Sequence, residues 1–194
     1  LPIYDKPLIY YPLSVMMLAG IKNILIIVNK GQIVQFKKIL QNGERFGIKI
    51  TYATQNKPKG LPDAFILGKK FIKNSSVALI LGDNFFHGQS LVELLSNTSL
   101  KFKSGANIFS YNVKNPQDYG VIETLKNTIK IIEKPKKTKS RRAITGLYFF
   151  DKNVSKLSKK LQYSKRGELE IVDLLKRYLL IKKLTITELG RGST

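Results

Sequence analysis

The chain has no cysteine, which excludes disulfides, thiolate metal sites and cysteine nucleophiles and is compatible with a reducing compartment. Any metal must then sit on oxygen ligands. Acidic residues are scarce: 13 Asp and Glu stand against 34 Lys and Arg, for a formal charge of +21. That excess, mostly Lys, points either to anionic partners (phosphates, nucleic acid or a membrane surface) or to lysines spread over a solvated surface. No apolar run approaches the ~20 residues that span a bilayer, and nothing at the start resembles a charged region followed by a signal-peptide core. These absences predict a soluble, cytoplasmic protein. No repeat of fixed period, long linker or low-complexity tract occurs, although residues 134–142 are densely basic.

With 194 residues and 43% hydrophobic content, the chain can bury a real core and fits one domain. It opens on Leu1 rather than Met and closes on Gly190-Arg191-Gly192-Ser193-Thr194, which reads as a fragment of something longer. Strands and helices alternate along the first part. A helix is predicted over 8–20 with Ile9, Leu13, Met16 and Met17 on one stripe, a strand over 24–28 and a helix over 33–40. A strand over 48–53, a helix over 61–72, a strand over 77–81, a short helix over 91–95 and a strand over 107–113 follow, an α/β pattern. After Asn115-Pro116 the pattern changes to a hairpin, 120–124 with 129–132, turning at Lys126-Asn127. A strand over 144–150, an amphipathic helix over 168–180 and a strand over 184–189 complete the set.

Five segments carry candidate chemistry. Val77 to Leu81 is an apolar, strand-forming run leading into Gly82-Asp83-Asn84. A run without polar alternation suits a strand covered on both faces, Gly82 lets the backbone turn sharply, and open α/β sheets bind ligands at strand carboxyl ends. Asp83 is therefore the first candidate metal ligand, although Gly-Asp-Asn also reads as a simple turn. The segment from Gln55 to Phe65 leaves a strand and enters a helix, aiming backbone N–H groups outward. Gln55 offers both donor and acceptor to a nucleobase edge, and Gly60 admits close approach to the backbone. An ordinary strand-to-helix loop explains the same residues.

Glu133-Lys134-Pro135 ends another apolar strand, and Pro135 favours an extended Lys134. A carboxylate there suits sugar hydroxyls and an ammonium suits phosphate, or Lys134 merely begins the basic run. Tyr119-Gly120-Val121 and Thr145-Gly146-Leu147-Tyr148 place glycines inside strands, where they mark bulges or close approach. His87 reads as a loop or packing residue.

Taken together and in order, residues 1–14, 55–65, 81–88, 118–121, 133–135, 145–149 and 166–170 resemble the sugar-nucleotide pyrophosphorylases, and among them the glucose-1-phosphate thymidylyltransferases. The resemblance covers essentially the whole chain. It implies a Rossmann-like nucleotidyltransferase three-layer fold, with a mixed, mostly parallel central sheet and an inserted sugar-binding β layer. One domain spans 1–194, with 1–113 the nucleotide-binding part and 114–194 the sugar-binding part. The implied reaction joins dTTP and α-D-glucose 1-phosphate, with Mg as cofactor, into dTDP-glucose and pyrophosphate.

On this resemblance Asp83 is a magnesium ligand near the nucleotide phosphates, and Gln55 and Gly60 contact thymine. Asn84 and Gly120 contact the sugar side and Glu133 holds glucose hydroxyls. Lys134 meets the sugar phosphate, and Ile144 with Tyr148 lines the same pocket. The family's glycine-rich phosphate loop lies upstream of the segment matching Leu1, and its second acidic metal ligand lies past the counterpart of Gly192. Both departures imply weak metal binding and little activity from these residues alone. The family is typically tetrameric. Pro62 replaces what is more often a small residue, a change a helix start tolerates. Two other readings explain less: a basic nucleic-acid-binding module accounts for the charge but not the spaced motifs, and a non-catalytic remnant of a split or degraded gene remains the third.

Overall fold

Alternating Ile26 and Val28 bury one face of a seven-residue strand, and Leu13, Leu40, Ile48 and Ile50 close over them. The computed structural model describes residues 2–3, 5–88, 90–126 and 128–190. A small antiparallel pair, β1 (Pro2–Ile3) with β2 (Lys6–Pro7), precedes helix α1 (Tyr10–Leu18). Pro12 falls in the first turn of α1, where a missing N–H costs nothing. Gly20, at φ +75°, ends the helix by donating to Met17 O at 2.9 Å. Strand β3 (Asn23–Asn29), helix α2 (Ile33–Leu40) and strand β4 (Lys49–Gln55) then form a parallel unit, β3 pairing in register with β4.

The helix predicted over 61–72 is two pieces, α3 (Asp63–Leu67) and α4 (Lys69–Ile72), divided at Gly68. Gly68 packs so closely that an added Cβ would lie 2.9 Å from Ala64 O and 3.2 Å from Leu25 Cδ2. Strand β5 (Val77–Ile80) follows. Helix α5 (Leu91–Lys101) is longer than expected because Leu91 and Leu95 anchor it in the core while its polar Ser96, Asn97 and Thr98 stay helical. Strand β6 (Ala106–Asn112), the hairpin β7 (Gly120–Leu125) and β8 (Thr128–Glu133), and strand β9 (Arg142–Phe150) come next. Asn127, half of the predicted turn, lies outside the described residues, as do Arg191 to Thr194. Helix α6 (Val154–Ser158), which the periodicity did not reveal, helix α7 (Ile171–Leu180) and strand β10 (Leu184–Glu188) end the order.

Strand β9 is the spine. It lies between β6 on one edge and β5 with β7 on the other, in a sheet ordered β10-β6-β9-β7-β8 with β5 also on β9. The sheet is mixed as expected, but its pairings are more often antiparallel than parallel. Strand β9 is antiparallel to β5, β6 and β7, because the chain reaches it through a hairpin layer rather than a helical crossover. Only β6 with β10 and β3 with β4 pair in parallel among the described residues. Strands β9 and β10, from the second half of the chain, thus interleave with β5 and β6 from the first.

Period-two alternation along β9 creates both cores. Tyr148 and Phe150 face one cluster with Phe65, Val172, Leu175 and Tyr178, while Leu147 and Phe149 face another with Val15, Met16, Leu95 and Phe109. Helices α3, α6 and α7 cover the first face and α1 with α5 the second, which is the expected three-layer α/β arrangement. Edge-on aromatic contacts, Phe65 to Phe150 at 5.1 Å among them, tie the α3 layer to β9.

Candidate active site

Strand β5 delivers Asp83 and Asn84 three and four residues past Ile80, and β9 holds them there. Gly146 N–H donates to Asn84 Oδ1 at 3.0 Å, and Leu81 N–H donates to Gly146 O at 2.9 Å. A Cβ on Gly146 would overlap Asn84 Oδ1 and sit 2.8 Å from Leu81 Cδ1, so only glycine lets the Asn84 amide lie flat on the strand. Asn84 Nδ2 then donates to Asp83 Oδ1 at 3.1 Å, orienting an exposed carboxylate. Gly82 differs from expectation. It is not in the left-handed region and a Cβ there would meet nothing within 4 Å, so the turn does not require glycine and the position faces open space.

The second group gathers where β7, β8 and β9 meet. Gly120 pairs with Glu133 across the hairpin, and a Cβ at Gly120 would lie 3.4 Å from Ile144 Cδ1 and 3.6 Å from Glu133 Oε2. Tyr148, two residues past Gly146, is buried close enough for the Glu133 carboxylate to add to the rise in its pKa that burial begins. Glu133 itself is half-buried, and desolvation first, then the charge of Glu170, pushes its pKa up. Arg166 and Lys134 partly oppose that rise.

Arg166 received no role from the sequence beyond its family segment. Its Nη2 donates to Glu170 Oε2 at 2.8 Å and to Glu133 Oε1 at 3.4 Å, bridging a buried and a half-buried carboxylate. The signal available was the charge spacing Arg166 to Glu170, an i,i+4 pair just before α7.

Lys134 is exposed beside Glu133, but its backbone is not extended as Pro135 suggested: φ is +39°. Its N–H donates to Tyr119 O at 3.0 Å, and this cross-hairpin bond holds the lysine in a conformation uncommon for a residue with a side chain.

Gln55 ends β4 half-buried and Gly60 follows in the loop. Gly60, at φ +93°, is required by the packing of its own loop. A Cβ there would overlap the carbonyl of Leu169, whose N–H donates to Lys59 O at 2.8 Å. Nor do the first N–H groups of α3 point outward free: Asp63, Ala64 and Phe65 donate to Gly60, Leu61 and Pro62 carbonyls. Through Leu169 this loop is tied to Glu168 and Glu170, and so to Arg166 and Glu133. A cavity of about 1130 Å³ has Gln55, Gly60, Leu81, Gly82 and Glu168 in its wall, linking the two loops. His87 is exposed and stacks on Phe85 at 6.2 Å, a packing role.

The sequence pattern of the nucleotidyl transferase family matches residues 1–193. The chain belongs to that family. A glucose-1-phosphate thymidylyltransferase of Neisseria meningitidis serogroup A is 50% identical over 194 residues, covering 99% of this chain and 67% of its own length. One from Mycolicibacterium smegmatis is 43% identical, covering all of this chain and 67% of the relative. The chain therefore spans about two thirds of these relatives. A solved Bacillus anthracis structure, assigned as a glucose-1-phosphate thymidylyltransferase in complex with a sucrose, superposes with a TM-score of 0.86 at 34% identity, covering 98% of this chain and 77% of that one. A UDP-glucose pyrophosphorylase bound to UDP-glucose shares the fold at a TM-score of 0.79 and 23% identity, covering 97% and 80%. The nucleotidyltransferase fold expected from the motifs is the fold observed. Among the described residues, no helix is long and apolar enough to cross a membrane.

Proposed function

We propose that this nucleotidyl transferase moves a thymidylyl group from dTTP to α-D-glucose 1-phosphate, releasing pyrophosphate and giving dTDP-glucose. The carrying observation is that Asn84, locked onto Gly146, sets Asp83 beside the strand whose Ile144 and Tyr148 border Glu133. A phosphate-handling carboxylate and a sugar-handling carboxylate thereby share one support. The relatives' names add the substrate pair.

A sugar-phosphate oxygen attacks the α-phosphorus, a P–O bond forms, and the bond to the β-phosphate oxygen breaks with its electron pair leaving on pyrophosphate. The nucleophile is already ionised, so no general base is needed and catalysis is positioning plus charge neutralisation. Gln55 reads the pyrimidine edge, with Gly60 shaping its loop. Asn84, Gly120 and Glu133 hold the sugar, Ile144 and Tyr148 wall it, and Lys134 with Arg166 meets phosphate.

No cluster of three His, Cys, Asp or Glu side chains occurs among the described residues, so an all-protein metal cage is absent there. Magnesium, however, suits one or two carboxylates completed by phosphates and water, and exposed Asp83 offers such a donor. When bound, the ion would neutralise phosphate charge. A tetrameric assembly is part of the same proposal.

The test is calorimetric titration of the protein with dTDP-glucose and with duplex DNA from 50 to about 300 mM salt. Sugar-nucleotide binding that persists at high salt and disappears in Glu133→Ala supports the reading. Binding of DNA alone, collapsing with salt, would replace it with the basic nucleic-acid module.

A further inference from the structure

The positive charge is concentrated, not evenly spread. Residues 126–142 hold eight of the 34 Lys and Arg and one carboxylate, Glu133, so 17 of the 194 residues carry a net +7 out of +21. Even spreading would place about +2 there. Lysines scattered over a solvated surface do not produce that density, and the segment's one carboxylate belongs to the candidate site.

The loop joining β8 to β9 holds much of this charge outward. Pro135 is buried and Thr138 and Ser140 are half-buried, whereas Lys134, Lys136, Lys137, Lys139 and Arg141 are exposed. The inward residues pin the loop to β7: the Thr138 hydroxyl donates to Glu123 Oε1 at 2.7 Å and the Ser140 hydroxyl to Ile122 O at 2.6 Å. Ser140 N–H donates to Thr138 Oγ1 at 3.0 Å, and Arg142 N–H to Ser140 Oγ at 3.2 Å. Glu123 is thereby engaged by a hydroxyl, and among the described residues no carboxylate forms an ion pair with the five exposed cations.

The hairpin register places the loop beside the site. Glu133 faces Gly120, and Lys130 faces Glu123 three positions along, so Thr138 on Glu123 lies about 10 Å from Glu133. That is close to the Debye length at 0.1 M salt, ~10 Å, so the loop's field reaches the site in dilute salt and fades in concentrated salt. A polynucleotide needs cations along an extended track. This loop folds back along the site's own strand pair, which favours a small anion.

We infer that the β8–β9 loop is an electrostatic guide for the phosphate-bearing ligands of the site: Lys136, Lys137 and Lys139 raise the rate at which they arrive and make no contact with them once bound. The inference rests on the reading that a sugar nucleotide binds beside Glu133 and Lys134. Three lysine charges roughly 10–15 Å from a ligand of charge −2 correspond to about a fivefold change in association at about 20 mM salt, and to less than about twofold at about 300 mM. Affinity that survives at high salt is then the share carried by the bound contacts.

The experiment is stopped-flow binding of dTDP-glucose to the whole chain, followed by tyrosine fluorescence, at about 20 and about 300 mM salt. The triple variant Lys136→Gln/Lys137→Gln/Lys139→Gln should associate about fivefold more slowly at the lower salt, converge to within about twofold of wild type at the higher, and dissociate at the wild-type rate in both. Lys136→Arg/Lys137→Arg/Lys139→Arg, which keeps the charge, should associate as wild type does. A charge-matched control, Lys152→Gln/Lys156→Gln/Lys159→Gln, removes three exposed lysines past the opposite end of β9, whose nine residues span about 30 Å, and should associate within about twofold of wild type. Unaltered association in the loop variant, dissociation changed by the same factor, or an equal loss in the control would each overturn the inference and leave the functional reading standing. Loss of duplex-DNA binding in the loop variant with unaltered dTDP-glucose association would also overturn it, by assigning the loop to a polynucleotide. A wild-type protein that binds no dTDP-glucose would overturn the functional reading and this inference together.

Discussion

Gly146 on β9 and Asn84 beyond β5 touch so closely that the glycine's missing Cβ is the space the asparagine amide occupies, its N–H donating to Asn84 Oδ1 at 3.0 Å. The loop that carries Asp83 is therefore positioned by the sheet's central strand, not by its own turn residues.

Gly146→Ala accordingly should act at a distance. The new methyl displaces Asn84 and presses on Leu81, costing about 1–3 kcal/mol of stability by overpacking. Asp83 loses its oriented donor at the same time. Thermal unfolding should show a lower Tm, and calorimetry at least tenfold weaker dTDP-glucose binding. Wild-type affinity in a folded Gly146→Ala protein would separate Asn84 from the site.

Gly60 and Gly82 make a second, internally controlled test. Gly60→Ala forces a methyl onto the Leu169 carbonyl at a positive φ and should cost at least about 2 kcal/mol. Gly82→Ala meets nothing and should leave stability within about 0.5 kcal/mol. Gly82 borders the cavity between the two loops, so the same variant should weaken nucleotide binding without touching Tm. Equal Tm losses in the two variants would contradict the packing described.

Much of this was legible in the chain because local patterns determine it. The run Val77 to Leu81 ending in Gly-Asp-Asn marked both a strand and a carboxylate at its end, and the 3.6-residue spacing of Leu174, Leu175 and Tyr178 marked α7. What escaped depends on partners far along the chain. Gly60 could not reveal that Leu169 packs on it, and Lys134 could not show that a bond to Tyr119 would turn its backbone to positive φ. Strand direction was hidden for the same reason: β9 carries an apolar run of the kind parallel strands carry, yet it pairs antiparallel to β5, β6 and β7.

Asp151 offers a variant that should alter stability and leave binding alone. Its buried carboxylate accepts from Gly105 N–H at 2.8 Å, Asn153 N–H at 2.9 Å and the Tyr178 hydroxyl at 3.0 Å. Tyr178→Phe removes one donor and should cost about 1 kcal/mol, while Asp151→Asn faces its new N–H₂ toward donors and should cost about 2–3 kcal/mol. Denaturant titrations give the order. The dTDP-glucose affinity of both folded variants should match wild type, because none of these groups touches Glu133, Asp83 or Gln55.

Glu133 provides a pH signature with a definite sign. Burial raises its pKa above the ordinary 4.5, with Glu170 adding to the rise and Arg166 and Lys134 restraining it. A raised folded-state pKa means that the native protein holds the proton more tightly than the unfolded chain does. The carboxyl's contribution to stability is then fully present below its unfolded value and is lost as pH rises through the folded one. Glu133→Gln should remove that dependence, so that the difference in Tm between wild type and variant shifts in favour of wild type as pH falls from 7 toward 4.5. Binding should move the opposite way. The ionised carboxylate is the form that accepts sugar hydroxyls, so wild-type affinity for dTDP-glucose should weaken on acidification through the same window, and the Gln variant should bind weakly at every pH. A wild-type Tm difference that grows toward high pH would reverse the sign and remove Glu133 as a carboxylate strained by burial.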